Sequence, residues 1–272
     1  MRKKLLVLLS SIVLTLTGCG ESTIKNENAI YVATSFDKKV IDINRETFNY
    51  MLQEKHSFFV LLYTSFCSYC QKATENLAKV TKDQGYTTYQ MDVGANVINE
   101  DGVETFPSLY VVKEGNVSYR ATVDEVKNQD CLRRLIKGYS YKTNIVSLTS
   151  FDSYKDYKKN HSDFMLYTYC SNSTDYNSDN VTIKDYYSNL IYPAAIKSNK
   201  SLLIIDKMTA EKALFAEICQ DIGISQDSDF SNVAIFTNKE KQRAIQYHSV
   251  SKDDVEDLVN SFFEVDSVNS AS

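Results

Sequence analysis

Cys67-Ser68-Tyr69-Cys70 is the one place in this 272-residue chain where two of its six cysteines stand three residues apart. Thiols at that spacing fit a single helical turn, so they can open and close a disulfide and pass two electrons to or from another one. The six apolar residues Phe58 to Tyr63 before the pair have the pattern of a central strand covered on both faces. After it, Cys70, Ala73, Leu77 and Val80 recur at helical spacing, and Gly85 closes the run. A strand-to-helix junction there sets Cys67 at a helix N-terminus, where unpaired N–H groups and the positive end of the dipole favour a thiolate. Cys67 is the expected nucleophile. Cys70, one turn on and facing inward, is the expected resolving thiol.

Two blander readings of the pair stand beside this one. It could be half of a zinc site, but zinc takes four ligands, no second CxxC exists, and His56, His161 and His248 are scattered. It could also be a fixed structural disulfide. Neither a metal nor a cofactor is expected. Cys131 and Cys219 fall within amphipathic helices and read as core residues. Cys170 falls close to where a second such site would stand, without a partner at CxxC spacing.

The elements that must position the pair follow in order. A short strand spans Val40 to Ile43, and Asn44 caps a helix that buries Phe48, Met51 and Leu52. Tyr86 to Met91 is a third strand; Pro107 to Val112 and Val117 to Tyr119 flank the turn Lys113-Glu114-Gly115-Asn116. A capping box, Thr122 to Glu125, opens one helix carrying Leu132, Leu135, Ile136 and Tyr139. The pattern then recurs: strands at Ile145–Leu148, Phe164–Tyr169, Leu202–Ile205, Val233–Phe236 and Ala244–Tyr247. Helices fall between them at Ser150–Asn160, Val181–Ile196 and Ala210–Ile222, and a last one follows the Ser251–Asp254 capping box. His56-Ser57 with Tyr63-Thr64, and His161-Ser162 with Tyr167-Thr168, echo this duplication. The fold class is α/β.

The first half resembles the thioredoxin family. The resemblance is carried by Tyr63-Thr64-Ser65-Phe66-Cys67-Ser68-Tyr69-Cys70, then Thr105-Phe106-Pro107-Ser108, then the glycine-containing hairpin turn. It implies two tandem thioredoxin-like domains, each a mixed central sheet with helices on both faces, the second degenerate and redox-inactive. It implies a cis Pro107 opposite the sulfurs and a Phe106 backbone that pairs with substrate, with Phe66 and Tyr69 beside it. The second domain is similar to the non-catalytic domains of disulfide isomerases, which hold substrate; Asn232 stands near where its cis-proline would be. Departures are clear. Where thioredoxins bury an Asp behind the pair this chain has Leu61, their helix proline is Glu75, the Trp before the pair is Phe66, and the central Gly-Pro is Ser68-Tyr69.

The N-terminus bears on compartment. Arg2, Lys3 and Lys4 precede the apolar Leu5 to Leu16, too short to span a bilayer, and Leu16-Thr17-Gly18-Cys19 resembles the lipobox of bacterial lipoproteins. The expected organisation is a signal peptide over 1–18, a polar tether over 19–37 lipidated at Cys19, domains over 38–140 and 141–265, and a tail over 266–272. The net charge is −5, or −8 without Arg2, Lys3 and Lys4. With no basic cluster in the sequence, nucleic-acid binding and attraction to anionic lipid are not expected. The sequence thus reads as a thiol–disulfide oxidoreductase held on the outer face of the cell membrane. It would act on exported proteins or peptides and be recycled by a membrane redox partner. The alternative is an accessory, chaperone-like lipoprotein in which two such folds hold an exported partner and the cysteine pair is secondary.

Overall fold

In the computed structural model, which describes residues 28–94, 105–171, 187–198, 200–225, 232–246 and 251–264, the chain folds as two α/β units. A strand, β1 (Ile30–Ser35), precedes the first unit. That unit has a sheet of β2 (Ile41–Asp42), β3 (Phe58–Tyr63), β4 (Thr88–Asp92), β5 (Ser108–Lys113) and β6 (Asn116–Arg120), in the order β2-β4-β3-β5-β6. The first three are parallel; β5 and β6 are antiparallel. Because strand side chains alternate, β3 feeds two cores. Phe58, Val60 and Leu62 meet Phe48 and Met51 of α1 (Arg45–Gln53), whose first turn is capped by Asn44 accepting from Thr47 N–H at 2.8 Å. Phe59 and Leu61 meet Ala73, Leu77 and Val80 of α2 (Ser68–Gln84) on the other face.

The expected single helix after β6 is two: α3 (Val123–Lys127) and α4 (Gln129–Tyr139). Asn128 between them takes extended backbone angles and accepts from the N–H groups of Asp130 and Cys131, both at 3.0 Å, so it ends one helix and caps the next.

The second unit repeats the first. Its sheet strands are β7 (Ser140–Ser147), β8 (Phe164–Tyr169), β9 (Ser201–Asp206), β10 (Asn232–Thr237) and β11 (Glu240–Gln246). They run in the order β7-β9-β8-β10-β11, the same permutation with the same strand directions. Helices α5 (Phe151–Asn160) and α7 (Lys212–Ile222) cover one face; α6 (Tyr192–Lys197), entered by a π turn at Tyr187–Ile191, and α8 (Lys252–Phe263) cover the other. The sequence expectation of a helix from Val181 falls partly outside the described residues. Two tandem α/β units of one topology, each a mixed sheet with helices on both faces, are therefore the architecture, shown by the repeated strand order itself.

The 19–37 segment is not only a tether. β1 lies within it and pairs in parallel with β7, extending the second sheet, while its Ile30 and Val32 enter the core of the first unit. Ser35 N–H also bonds the Gly85 carbonyl at 2.7 Å, and Thr87 N–H the Ala33 carbonyl at 2.8 Å. The alternation Ile30-x-Val32 is a strand signal that the polar run before it masks.

The units share a buried seam. Tyr50 stacks on Tyr169 with ring centroids 5.7 Å apart, and His56 packs 4.6 Å from Tyr187. Burial pushes the His56 imidazole down to about 3, so it stays neutral there. The hydroxyls of Thr47 and Ser171 meet at 3.1 Å, and Ser171 also donates to Asp206 from Oγ at 2.7 Å and from N–H at 3.1 Å. Burial pushes the Asp206 carboxyl up to about 6, against these bonds. A carboxyl raised in the folded state binds a proton there before it does in the unfolded chain, so ionised Asp206 is a cost above pH 6 that protonation relieves. The wild-type chain is therefore expected to gain up to about 3 kcal/mol over Asp206→Asn as pH falls from 7 to 4, read by urea unfolding across that range. Parallel curves for the two chains would refute the assignment.

Candidate functional site

The dithiol site forms where β3 ends and α2 begins. Cys67 is the N-cap of α2, in extended conformation, and its sulfur accepts from Cys70 N–H at 3.3 Å. Its thiol also points at the Phe106 carbonyl, 3.8 Å away. The Phe106–Pro107 peptide is cis, and it enters β5 directly, so the sheet pairing of β5 with β3 carries this loop to the sulfurs. Cys70 is 1% exposed and Cys67 only half-buried. Both are free thiols. Burial first, and then the Cys67 sulfur, push the Cys70 thiol up to about 11.

Thr64 is a residue the sequence reading passed over. It opposes that shift by directing hydrogen bonds at the Cys70 sulfur from its backbone and its hydroxyl. The only signal in the sequence was its place at the end of the buried strand.

Phe66 and Tyr69 flank the pair and are the outstanding exposed aromatics of this unit, at 90% and 57%. An open cleft of about 420 Å³ runs beside them, lined by Tyr63, Thr64, Gln71 and Thr74. Lys127 lies over the Tyr69 ring at 4.4 Å, held there because Asn76 of α2 donates to the Val126 and Lys127 carbonyls at 3.3 and 2.6 Å. The structure thus gathers Cys67, Cys70, Phe106, Pro107, Phe66 and Tyr69 in one place. Cys19 lies outside the described residues. Among the described residues, no three His, Cys, Asp or Glu side chains cluster as metal ligands.

The difference in burial sets relative reactivity. At pH 8 a thiol at about 11 is ionised in roughly one molecule in a thousand, and a buried sulfur is also sterically shielded. Alkylation of the reduced protein with iodoacetamide, followed by mass spectrometry, is expected to modify Cys67 at least about tenfold faster than Cys70. Equal rates, or Cys70 first, would reverse the roles.

The second unit carries the same local frame without the pair. Ser65 donates to Asp92 and Ser171 to Asp206, at matching ends of strands. Each Asp also accepts an N–H two residues on, Gly94 at 2.9 Å and Met208 at 3.0 Å. In that register Cys170 takes the place of Thr64, three residues short of a nucleophile, and Asn232 takes the place of Ser108 rather than of Pro107. The pole carrying Ser171 and Asp206 is buried against α1 of the first unit, where the equivalent pole of the first unit presents Ser65 and Asp92 at the surface. In the first unit this pole is open to solvent beside the pair.

The family model for thioredoxin matches residues 39–138. No curated protein matches the chain. Among solved structures, a mutant thioredoxin from Halobacterium salinarum NRC-1 is 16% identical over 38% of this chain and 93% of its own, with a TM-score of 0.33. Human ERp44 in a zinc-bound form is 10% identical over 82% of this chain and 57% of its own, with a TM-score of 0.31. A J-Trx1 fragment of ERdj5 is 19% identical over 36% of this chain, with a TM-score of 0.32, and the chain spans 50% of that fragment's length.

Proposed function

We propose, from the premise that residues 39–138 are a thioredoxin-family domain, that this protein exchanges its dithiol for disulfides in exported proteins. The observation that carries the reading is the geometry of one helix terminus. A half-exposed Cys67 faces the Phe106 carbonyl beside a cis Pro107, with a buried Cys70 one turn behind. In the reducing direction the Cys67 thiolate attacks a substrate disulfide, forming a mixed disulfide and releasing one substrate thiol. Cys70 then loses its proton and attacks the Cys67 sulfur, which closes the Cys67–Cys70 disulfide and frees the second substrate thiol. Two electrons have passed to the substrate, and a membrane redox partner returns them to the pair. The oxidising direction is the same sequence reversed. Exposed Phe66 and Tyr69 supply apolar contact for an unfolded or extended segment.

The direct test is insulin reduction by the polypeptide from Gly20 onward, which retains every described element. A folded protein whose reduced form leaves insulin intact and whose oxidised form leaves a dithiol peptide unoxidised would refute the enzyme.

The proposal includes lipid anchoring at Cys19 on the outer face of the membrane, with no nucleic-acid partner. Among the described residues, no helix is long and apolar enough to cross a membrane. Cys19→Ala is expected to leave uncleaved precursor and to abolish acyl labelling, since the thioether has no other attachment point. Normal processing and labelling of that variant would sink the anchor.

A further inference from the structure

A cleft of about 690 Å³ opens between the two units at the end of the molecule opposite the cysteine pair. Ser57 and Lys55, just before β3, line it, as do Lys113 and Glu114 at the turn between β5 and β6. Cys67 and Pro107 stand at the other ends of those same strands, and a six-residue strand is about 20 Å long. The turn is fixed against the first unit: Gly115 N–H bonds the His56 carbonyl at 2.9 Å, and a Cβ on Gly115 would lie 2.2 Å from the Leu52 carbonyl oxygen. From the second unit come Tyr141, which packs on Tyr31 with centroids 5.0 Å apart, and Lys197 of α6. Three lysines from distant points of the sequence thus meet one carboxylate, Glu114, on a chain that is acidic as a whole.

The cleft is also where the N-terminal segment arrives, because Ala29, Ile30 and Tyr31 form part of its wall. Whatever its path, the chain from Cys19 to Asn28 reaches at most about 30 Å. A lipidated Cys19 therefore holds this end of the protein within about 30 Å of the bilayer. We infer that the cleft rimmed by Lys55, Lys113 and Lys197 faces the membrane and takes the phosphate headgroups of anionic phospholipid, holding the Cys67 end outward toward exported clients. The anchor in this inference rests on the lipoprotein reading above; the binding itself does not. Charge complementarity and the origin of the chain at the cleft both favour a lipid headgroup. An apolar floor of Ile30, Pro193 and Ile196 adds room for the glycerol and upper acyl region.

The test is co-sedimentation of the unlipidated polypeptide from Gly20 onward with vesicles of phosphatidylcholine alone, or mixed equally with phosphatidylglycerol. Binding is expected only to the mixed vesicles and to weaken with salt. Each of Lys55→Gln, Lys113→Gln and Lys197→Gln should weaken it roughly fivefold. Cys67 alkylation in the triple variant should match wild type, which shows that the fold is intact. Equal binding to both vesicles, or a folded triple variant that binds as wild type does, would overturn the inference. Lack of acyl labelling at Cys19 would instead remove the anchor while leaving this result unchanged, so the two failures are distinguishable.

Discussion

Replacing Cys67 by Ser is expected to lower insulin reduction by on the order of a thousandfold or more, while Cys70→Ser is expected to halt the reaction after its first half. A hydroxyl at position 67 has no thiolate to offer at neutral pH, and no other sulfur among the described residues faces the Phe106 carbonyl. Cys70→Ser keeps the exposed nucleophile and the cis-proline loop but removes the thiol that attacks Cys67 from behind. That variant should accumulate covalent complexes through Cys67, visible as reducible high-mass bands, which would also identify the client proteins. A Cys170→Ser variant should behave as wild type, because Cys170 occupies the position of Thr64 in its own unit and is buried. Full insulin reduction by Cys67→Ser would show that the pair is not the active centre. Complexes formed equally by Cys67→Ser and Cys70→Ser would show that clients are held without exchange.

The second large effect concerns what lies behind Cys70. Resolution requires Cys70 to ionise, yet burial holds its thiol at about 11. Leu61 is fully buried on β3, in the same core layer as Ala73 and Leu77, and brings no base. Lys72 and Glu75 pair with each other 3.9 Å apart on the solvent side of α2, so neither reaches the buried sulfur. Thr64 alone offsets the burial, through hydrogen bonds rather than proton transfer. A carboxylate at position 61 could accept the Cys70 proton. Each pKa unit removed corresponds to about 1.4 kcal/mol, so Leu61→Asp is expected to speed release of a model mixed disulfide roughly tenfold near pH 7. The same change buries a carboxyl in an apolar layer and should lower stability by about 3 kcal/mol. Stopped-flow release from a Cys67 mixed disulfide, with urea unfolding of the same sample, checks both halves. An unchanged release rate in a folded variant would make Leu61 core packing only. A slow resolver keeps its partner longer, which suits a small set of dedicated clients.

The pair, its strand and its helix were legible in the sequence because each is decided by residues close to it. Six apolar residues specify the buried strand, Gly85 takes the left-handed C-cap with φ of 73°, and the boxes at Thr122 and Ser251 close as their residue types dictate. The repeat was legible for the same reason, since its hydrophobic periodicity recurs. Asn128 shows the limit of such reading: its capping role was written in its side chain, but a continuous apolar stripe on either side spoke for one helix.

Long-range partners decided the rest. Ile30 and Val32 were too few to announce a strand, and they became one because β7 offered an unpaired edge and the first unit an unfilled core. Asp92 and Asp206 sit in the same local turn, yet hydrogen bonds hold the first below the usual carboxylate range and burial under α1 lifts the second above it. The sequence shows no basic cluster because Lys55, Lys113 and Lys197 are far apart in the chain; the pairing of β3 with β5 brings the first two together, and the docking of the second unit adds Lys197 to the same cleft. What the sequence by itself determined was the place of the cysteine pair at a strand-to-helix junction and the elements that frame it, since these depend on neighbours within a turn or a strand. What only the tertiary structure decided was which end of each unit is open, because burial is set by contacts between residues more than a hundred positions apart, such as Thr47 and Ser171.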